Sequence, residues 1–145
     1  MKNVLIVFSL SLFLSLGCHA QSKKCFKVQG AQMTIIKEMI DAVNEKDAEK
    51  YVKEFSDNIA IYVHNDLKLE GREALKANRS NHFKNHPEVR SEIQYLVEID
   101  NKVIMHDKVW LEESNHEGRD IVEVFTFEKG KIVRVDVTQP QDLFK

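Results

Sequence analysis

The sequence predicts a single α+β domain in which three helices cover the concave face of a curved, mostly antiparallel sheet. Two observations lead to this prediction. Two amphipathic helical stretches open the domain, and alternating β-type segments joined by short polar turns close it. A run of helices followed by a run of strands is typical of the α+β class. With 145 residues, 43% of them hydrophobic, the chain is large enough to bury one core.

Residues 1–20 have the form of a secretory signal peptide and are left out of the fold. A short positive start precedes an apolar core that is too short to span a bilayer, which needs about 20 apolar residues. Cleavage after Ala20 would give a secreted or periplasmic chain. Alternatively, Ser15-Leu16-Gly17-Cys18 resembles a lipoprotein box that would leave a membrane-anchoring lipid on Cys18, and an uncleaved anchor is a third alternative. We expect a mobile lead at 21–30, the domain at 31–139 and a tail at 140–145.

Charge and cysteine content narrow the range of partners. The formal net charge of −2 gives no strong field toward nucleic acid or an anionic membrane, so we predict neither as a partner apart from a lipid on Cys18. Cys25 has no partner within the mature chain, and a zinc site built on cysteines is excluded by count. His82 and His86 lie one turn apart, but no carboxylate at a convincing spacing completes a site. We therefore predict no metal and no organic cofactor.

The three helices are predicted from apolar spacing and end signals. The first has the i, i+3, i+4, i+7 spacing of one helix face at Ile36, Met39, Ile40 and Val43. Asp47 is a natural N-cap for the second helix. The apolar face of that second helix is predicted to be Ala48, Tyr51, Val52 and Phe55. The third helix runs from about Arg72 to Asn85, and Pro87 closes it.

Strands are predicted where apolar and polar residues alternate between short turns. They are residues 59–64, 67–70, 89–99, 103–112, 121–127 and 131–138. In the third strand the odd-numbered residues share one face, and the last two strands form a hairpin. On its first strand Ile121, Glu123, Phe125 and Phe127 share a face, which places one carboxylate among large apolar groups. The opposite face is also fairly apolar, so either face could point inward.

The predicted order of elements is α-α-β-β-α-β-β-β-β. Within it stand four characteristic runs: Asn44-Glu45-Lys46-Asp47, Phe55-Ser56-Asp57-Asn58, Leu69-Glu70-Gly71-Arg72-Glu73-Ala74-Leu75 and Glu128-Lys129-Gly130-Lys131-Ile132-Val133. With this order and these runs, about residues 31–139 resemble the nuclear transport factor 2-like superfamily, the cone-shaped fold of ketosteroid isomerases, limonene epoxide hydrolases and SnoaL-type polyketide cyclases. The resemblance implies a deep apolar pocket between sheet and helices that holds acid–base groups in the active members. Because many functions share one fold, it does not specify an activity.

The resemblance carries over only part of each known mechanism. When the chain is compared with a ketosteroid isomerase, Glu123 falls at the position of the protonated acid that donates a hydrogen bond in the pocket. Met39 and Val63 fall at the other two functional positions. Against an epoxide hydrolase, Lys108 and Trp110 replace the arginine and the aspartate. The run Val135-Asp136-Val137-Thr138-Gln139 is similar to one found in many SnoaL-like relatives, which keeps Asp136 as a candidate.

The candidate catalytic residues are Glu123, with Asp107 or His106 as a second group, and Asp136. Alternation places His106 and Trp110 on one face of their strand and Asp107 on the other, and we slightly favour an outer-surface position for His106. A carboxyl in an apolar pocket has its pKa raised and can act near neutral pH. The predicted pocket-lining residues are Met39, Tyr51, Phe55, Tyr62, His64, Trp110 and Phe125.

Two functions follow from these residues. The first is an acid–base enzyme (isomerase, cyclase or hydrolase) acting on a small apolar ligand, and the second is a non-catalytic ligand- or protein-binding module of the cell envelope. We also predict a homodimer. An open cavity beside Glu123 would favour the enzyme, whereas a solvent-facing Glu123, or a cavity filled by Phe55, Phe125 and Phe127, would favour the module.

Overall fold

The computed structural model describes residues 30–112 and 117–140, where the order of elements is the predicted one. Helices α1 (Ala31–Glu45) and α2 (Ala48–Val52) come first, then strands β1 (Phe55–Val63) and β2 (Asp66–Glu70), then helix α3 (Arg72–Asn85). The remaining strands are β3 (Arg90–Ile99), β4 (Lys102–Trp110), β5 (Arg119–Glu128) and β6 (Lys131–Thr138). No helix in this part of the chain is long and apolar enough to cross a membrane. The predicted signal peptide, the lead up to residue 29 and the tail from residue 141 lie outside the described residues.

The six strands form one open, curved sheet in the order β2-β1-β6-β5-β4-β3. Every neighbouring pair is antiparallel except β1 and β6, which run parallel. The predicted α+β class with three helices on a mostly antiparallel sheet is therefore confirmed. The parallel pair was not predicted, because it joins strands that are far apart in the sequence.

The helices divide the inner face of the sheet between them. Helix α1 packs on β3 and β4, α3 packs on β1 and β2, and α2 contacts both other helices. The core between helices and sheet includes Ile36, Phe55, Ile59, Leu75, Met105, Phe125 and Ile132, each at most 2% exposed. Because the helices spread toward the two ends of the sheet, the space between α3 and the middle strands is left for a cavity.

Helix α2 is shorter than predicted. Its N-cap is the predicted one, since the Asp47 carboxylate accepts a hydrogen bond from the backbone N–H of Lys50 at 2.9 Å. The helix ends at Val52, however, and Phe55 does not lie on its apolar face. Phe55 instead begins β1, where it pairs with Ile132 of β6. Pairing with a distant strand has here overridden a local helical pattern.

Strand β3 changes face at Gln94. The pairing with β4 shifts between Ile93 and Tyr95, which is the signature of a bulge that inserts one extra residue. The prediction that all odd-numbered residues of β3 share one face was therefore wrong. Beyond the bulge, Leu96 is buried on the inner side, whereas Tyr95 is 64% and Ile99 55% exposed on the outer side. A one-residue shift reverses every later side chain of a strand.

Candidate functional site

A cavity of about 480 Å³ opens between α3 and the inner face of β1, β5 and β6. Its apolar wall consists of Ile61, Val63, Leu69, Leu75, Ile121, Val135 and Val137. The polar side chains on its wall are Tyr51, Lys68, Asn78, Arg79, Glu123 and Gln139. Phe55, Phe125 and Phe127 are buried in the core but do not fill this space. Its size and mixed lining fit a binding site for a small molecule.

Glu123 lies on this wall, on the inner face of β5. It is half-buried, and the neighbouring inward residues Ile121 and Phe125 are buried. Within the described residues its carboxyl makes no hydrogen bond, so its oxygen atoms are open to a ligand. Burial raises the pKa of Glu123 to about 8; the charge of Asp107 acts in the same direction and that of Arg79 opposes it. Glu123 therefore carries its proton at neutral pH.

Asp107 is the second carboxyl of the site and is only 3% exposed. In the pairing of β4 with β5, Met105 lies opposite Glu123 and Asp107 lies opposite Ile121. The two carboxyl side chains are thus diagonal neighbours on one face of the sheet, a separation of about 7–8 Å between Cα atoms. Asp107 does not line the cavity itself. It acts on Glu123 through its charge.

The surroundings of Asp107 stabilise its charged form only in part. The hydroxyl of Ser91 donates a hydrogen bond to Asp107 Oδ2 at 2.5 Å, whereas Oδ1 is buried without a partner. Burial raises the pKa of Asp107 to about 6, and the hydrogen bond from Ser91 opposes this rise. Loss of water raises the pKa of both acids, and the charge of Asp107 raises that of Glu123 further. Neighbouring acids with raised pKa values are typical of acid–base sites.

Helix α1 fixes the position of Ser91. The backbone N–H of Ser91 donates to Asn44 Oδ1 at 2.8 Å, and Asn44 Nδ2 donates to the Ser91 carbonyl oxygen at 2.9 Å. This pair of hydrogen bonds ties the end of α1 to β3. This role of Asn44 was not predicted, because in the sequence Asn44 is only part of a polar break between two helices.

Tyr51 and Arg79 complete the polar part of the cavity. The Tyr51 ring stacks on Phe55 with 5.5 Å between centroids, and burial raises the pKa of Tyr51 to about 12, so its hydroxyl stays protonated. The Arg79 guanidinium lies 5.4 Å from the centroid of the Tyr51 ring. Tyr51 is the predicted pocket-lining residue that the structure brings to Glu123.

Sequence reasoning missed Arg79, although a signal for it exists. Arg79 lies four residues after Leu75 and four before Phe83, and both of these are buried on the inward face of α3. A charged residue in the middle of an apolar helix face is a candidate site residue for the same reason as Glu123 in its apolar strand. The same argument would have found both residues.

His106 and Asp136 lie on the other side of the sheet, although both were candidate catalytic residues. His106 Nε2 is 2.9 Å from Asp120 Oδ1. Asp136 accepts two hydrogen bonds from Arg134, at 2.8 and 2.6 Å. Alternation along β4 and β6 turns these side chains away from Glu123, so the structure does not bring them into the site.

Two predicted pocket aromatics also face outward. The Tyr62 ring lies 3.9 Å beneath the guanidinium of Arg134, and the Trp110 ring lies 3.6 Å from that of Arg90. Trp110 is nevertheless only 7% exposed. Each ring is covered by a cation from a neighbouring strand, an interaction that needs no cavity.

The remaining predicted pocket residues lie close to the site without lining it. Met39 borders a separate cleft of about 40 Å³ together with Tyr51 and Phe55. Phe55 and Phe125 are each 1% exposed and belong to the core. His64 sits in the turn between β1 and β2 with a φ of 51°, and its Nε2 lies 2.8 Å from the carbonyl oxygen of Gln139. Within the described ranges, no three His, Cys, Asp or Glu side chains converge as metal ligands.

Comparison with known proteins agrees with this architecture. The chain is 25% identical to an uncharacterised cystatin-fold protein from Novosphingobium aromaticivorans, with a TM-score of 0.68 over 75% of this chain and 98% of that one. It is also 25% identical to an epoxide hydrolase/cyclase-like enzyme of pyran ring formation in the polyether salinomycin, with a TM-score of 0.62 over 74% and 89%. A nuclear transport factor 2-like protein from Cytophaga hutchinsonii is 19% identical, with a TM-score of 0.65 over 83% and 100%.

Among curated protein sequences, none matches this chain significantly. A family model described as a SnoaL-like domain matches residues 36–135, which is most of the described chain. The match includes α2, α3, β1, β2, β5 and the first part of β6. The predicted nuclear transport factor 2-like fold is thereby confirmed, and the chain belongs to the family of SnoaL-like domains.

Proposed function

We propose that this chain is a small-molecule pocket protein that performs acid–base chemistry on an apolar ligand, with Glu123 as the group that exchanges the proton. One observation carries the proposal. Glu123 opens onto an apolar cavity in its protonated form, and the buried Asp107 one strand away helps to hold the proton there. An acid whose pKa lies near the working pH is the most effective proton donor and acceptor.

The geometry supports a sequence of two proton transfers. Protonated Glu123 donates to a ligand oxygen, such as that of a carbonyl or an epoxide, as negative charge develops on it. The Arg79 guanidinium, which lines the same cavity, stabilises the negative charge that the transfer leaves on Glu123. The carboxylate then takes a proton back, either from a carbon of the ligand or from a water molecule as that water adds to the ligand and an epoxide C–O bond breaks. The salinomycin enzyme, which is similar in structure, supports cyclisation or hydrolysis as the class of reaction.

A non-catalytic binding module is the second candidate, and one observation favours it. Asp107 is tied to Ser91 and does not reach the cavity wall, so the ligand meets a single carboxyl group. A ligand could bind there without reacting. Substitution of Glu123 separates the two candidates, because binding tolerates the loss of an acid more readily than catalysis does.

The test is proton exchange and turnover in D₂O with a panel of apolar ketones, lactones and epoxides, followed by NMR. We expect the wild type to exchange or convert at least one member, and Glu123→Gln to lower that rate about 100-fold or more. Glu128→Gln, at the exposed end of the same strand, is the matched control and keeps the wild-type rate. Binding without any exchange would favour the module, and an unchanged rate in Glu123→Gln would exclude Glu123 as the acid.

We also propose that two copies of the chain pair through the outer face of the sheet. This face carries a set of exposed apolar side chains, here called the outer apolar patch: Tyr95, Ile99, Ile104 and Val122. Exposed apolar side chains gathered on one face mark an interaction surface. A homodimer formed there would leave the cavity open, because the cavity lies on the opposite face of the sheet.

The proposed location is outside the cytoplasm, either secreted or periplasmic or, alternatively, anchored by a lipid on Cys18. This proposal rests on the composition of residues 1–20. Mass spectrometry of the mature N-terminus tests it. A chain that begins at Gln21 supports secretion, a diacylglycerol mass on Cys18 supports the anchor, and an intact Met1 in a cytoplasmic fraction contradicts both.

A further inference from the structure

The charged groups on the cavity wall indicate which charge its ligand carries. Besides the apolar side chains, the wall has two cationic groups, Lys68 and Arg79, and a single acid, Glu123. Lys68 is exposed at the surface, and its ammonium lies 3.4 Å from the carboxylate of Asp66, which is not part of the wall. Arg79 is half-buried and is the only cation that α3 contributes to the wall. The charge of Arg79 is therefore the one that a bound ligand would meet.

Arg79 has no anionic partner among the residues that the structure describes. Its Nε is buried without a hydrogen bond, and its guanidinium rests on the face of the neutral Tyr51 ring. Glu123 lies near enough for the two charges to influence each other, but it keeps its proton at neutral pH. A charged group that has lost part of its contact with water gains from an oppositely charged partner, so an anion bound in the cavity would stabilise Arg79.

We infer that the ligand of this cavity is an amphipathic carboxylic acid, and that Arg79 binds its carboxylate while the apolar wall holds its hydrocarbon body. A guanidinium can donate two parallel hydrogen bonds to a carboxylate. Protonated Glu123 is able to donate a further one. The inference rests on the proposed function in one respect only, that the cavity is a ligand site, and it requires no reaction.

The experiment compares decanoate with decanol, which share a hydrocarbon chain and differ in the head group. Binding is measured at pH 7 by calorimetry for the wild type, Arg79→Met, Arg79→Lys and Lys84→Met. Lys84 is exposed on the same helix, so its replacement removes an equal charge away from the cavity. Thermal unfolding of each variant shows that it is folded.

We expect the wild type to bind decanoate at least about tenfold more tightly than decanol, because a charged hydrogen bond is worth more than a neutral one. Arg79→Met should remove that preference by weakening decanoate alone, Arg79→Lys should restore part of it, and Lys84→Met should leave it unchanged. Equal affinity for acid and alcohol, no binding of decanoate, or an equal loss of both in Arg79→Met would each overturn the inference.

A second part of the binding experiment uses the ionisation of Glu123. Above pH 8 the carboxylate of Glu123 would stand beside that of decanoate, with Asp107 already charged and Tyr51 still neutral. The affinity of the wild type for decanoate should then fall, whereas Glu123→Gln should bind equally well at pH 7 and pH 9. Failure of the proposed chemistry appears as absent turnover with this binding intact. Failure of the inference appears as turnover of neutral ligands without any preference for decanoate over decanol in binding.

Discussion

At the scale of single residues, the buried acids make folding stability depend on pH. Glu123 titrates at about 8 in the folded chain and near 4.3 when unfolded, so between these values only the folded state keeps the proton. The free energy of unfolding therefore falls as the pH rises through this window and levels off above it. The slope from this one group is at most about 1.4 kcal/mol per pH unit.

Glu123→Gln is expected to flatten this dependence. Glutamine has no proton to lose, so the variant should gain stability relative to the wild type between pH 6 and pH 8. Urea unfolding at pH 6, 7 and 8 measures the effect, and the exposed Glu128→Gln serves as control. Parallel curves for wild type and Glu123→Gln would show that Glu123 is ionised in the folded protein.

Ser91 is predicted to matter because it is the side-chain donor to the buried Asp107. Ser91→Ala should lower the free energy of unfolding by about 1–3 kcal/mol, since it leaves a second carboxylate oxygen without a partner. It should also raise the pKa of Asp107 further, because the hydroxyl favours the charged form.

Denaturant unfolding and a carbon-13 NMR titration of the Asp107 carboxyl measure the two effects. Ser80→Ala, exposed on α3, should change neither quantity. A pKa of Asp107 that stays the same in Ser91→Ala would show that this hydrogen bond does not control its charge.

At the scale of elements, the bulge in β3 explains how α1 begins. The N-cap of α1 is Gly30, which has no side chain to cap the helix. Because the bulge turns Glu98 inward, its Oε2 accepts a hydrogen bond from the backbone N–H of Met33 at 3.1 Å. A carboxylate at this end of a helix also interacts favourably with the helix dipole. A β-carbon at residue 30 would collide with this carboxylate, and the φ of 98° there also favours glycine.

Glu98→Ala is therefore expected to lower the free energy of unfolding by about 1 kcal/mol, the usual cost of losing a helix cap. Hydrogen exchange should become faster in the first turn of α1 more than elsewhere. Glu92→Ala, exposed on the same strand before the bulge, provides the comparison and should have little effect. Equal losses in the two variants would contradict the capping role.

Local sequence patterns predicted which segments form helices and strands better than they predicted which side chains of each segment point inward. Alternation and helical spacing found every helix and strand, because those patterns depend on near neighbours in the chain. The bulge at Gln94 and the strand role of Phe55 depend on pairing with β4 and β6, and no local pattern contains that information. The candidate site was likewise predicted in part, where it depends on near neighbours in the sequence. Glu123 stood out against its apolar neighbours, but its closeness to Arg79 depends on how α3 lies over the sheet.

At the scale of the whole molecule, the outer apolar patch predicts the oligomeric state. Ile104→Lys should convert a dimer to a monomer, because it places a charge in the middle of the patch, where it would be buried on pairing. Leu67→Lys is the control: Leu67 is 50% exposed on β2, at the far edge of the sheet. Light scattering with size-exclusion chromatography measures the masses. A wild type that is monomeric at high concentration would rule out the proposed pairing.

The position of β6 has a consequence for how the chain is made. Among the strands that the structure describes, β6 lies between β1 and β5 and alone joins the β1–β2 hairpin to the rest of the sheet. Residues 55–63 therefore cannot complete their strand pairing until residues 131–138 have left the ribosome. Contacts between such distant segments slow folding. The cavity wall gains Val135 and Val137 only at that last step, so we expect a chain interrupted before β6 to lack a complete ligand site.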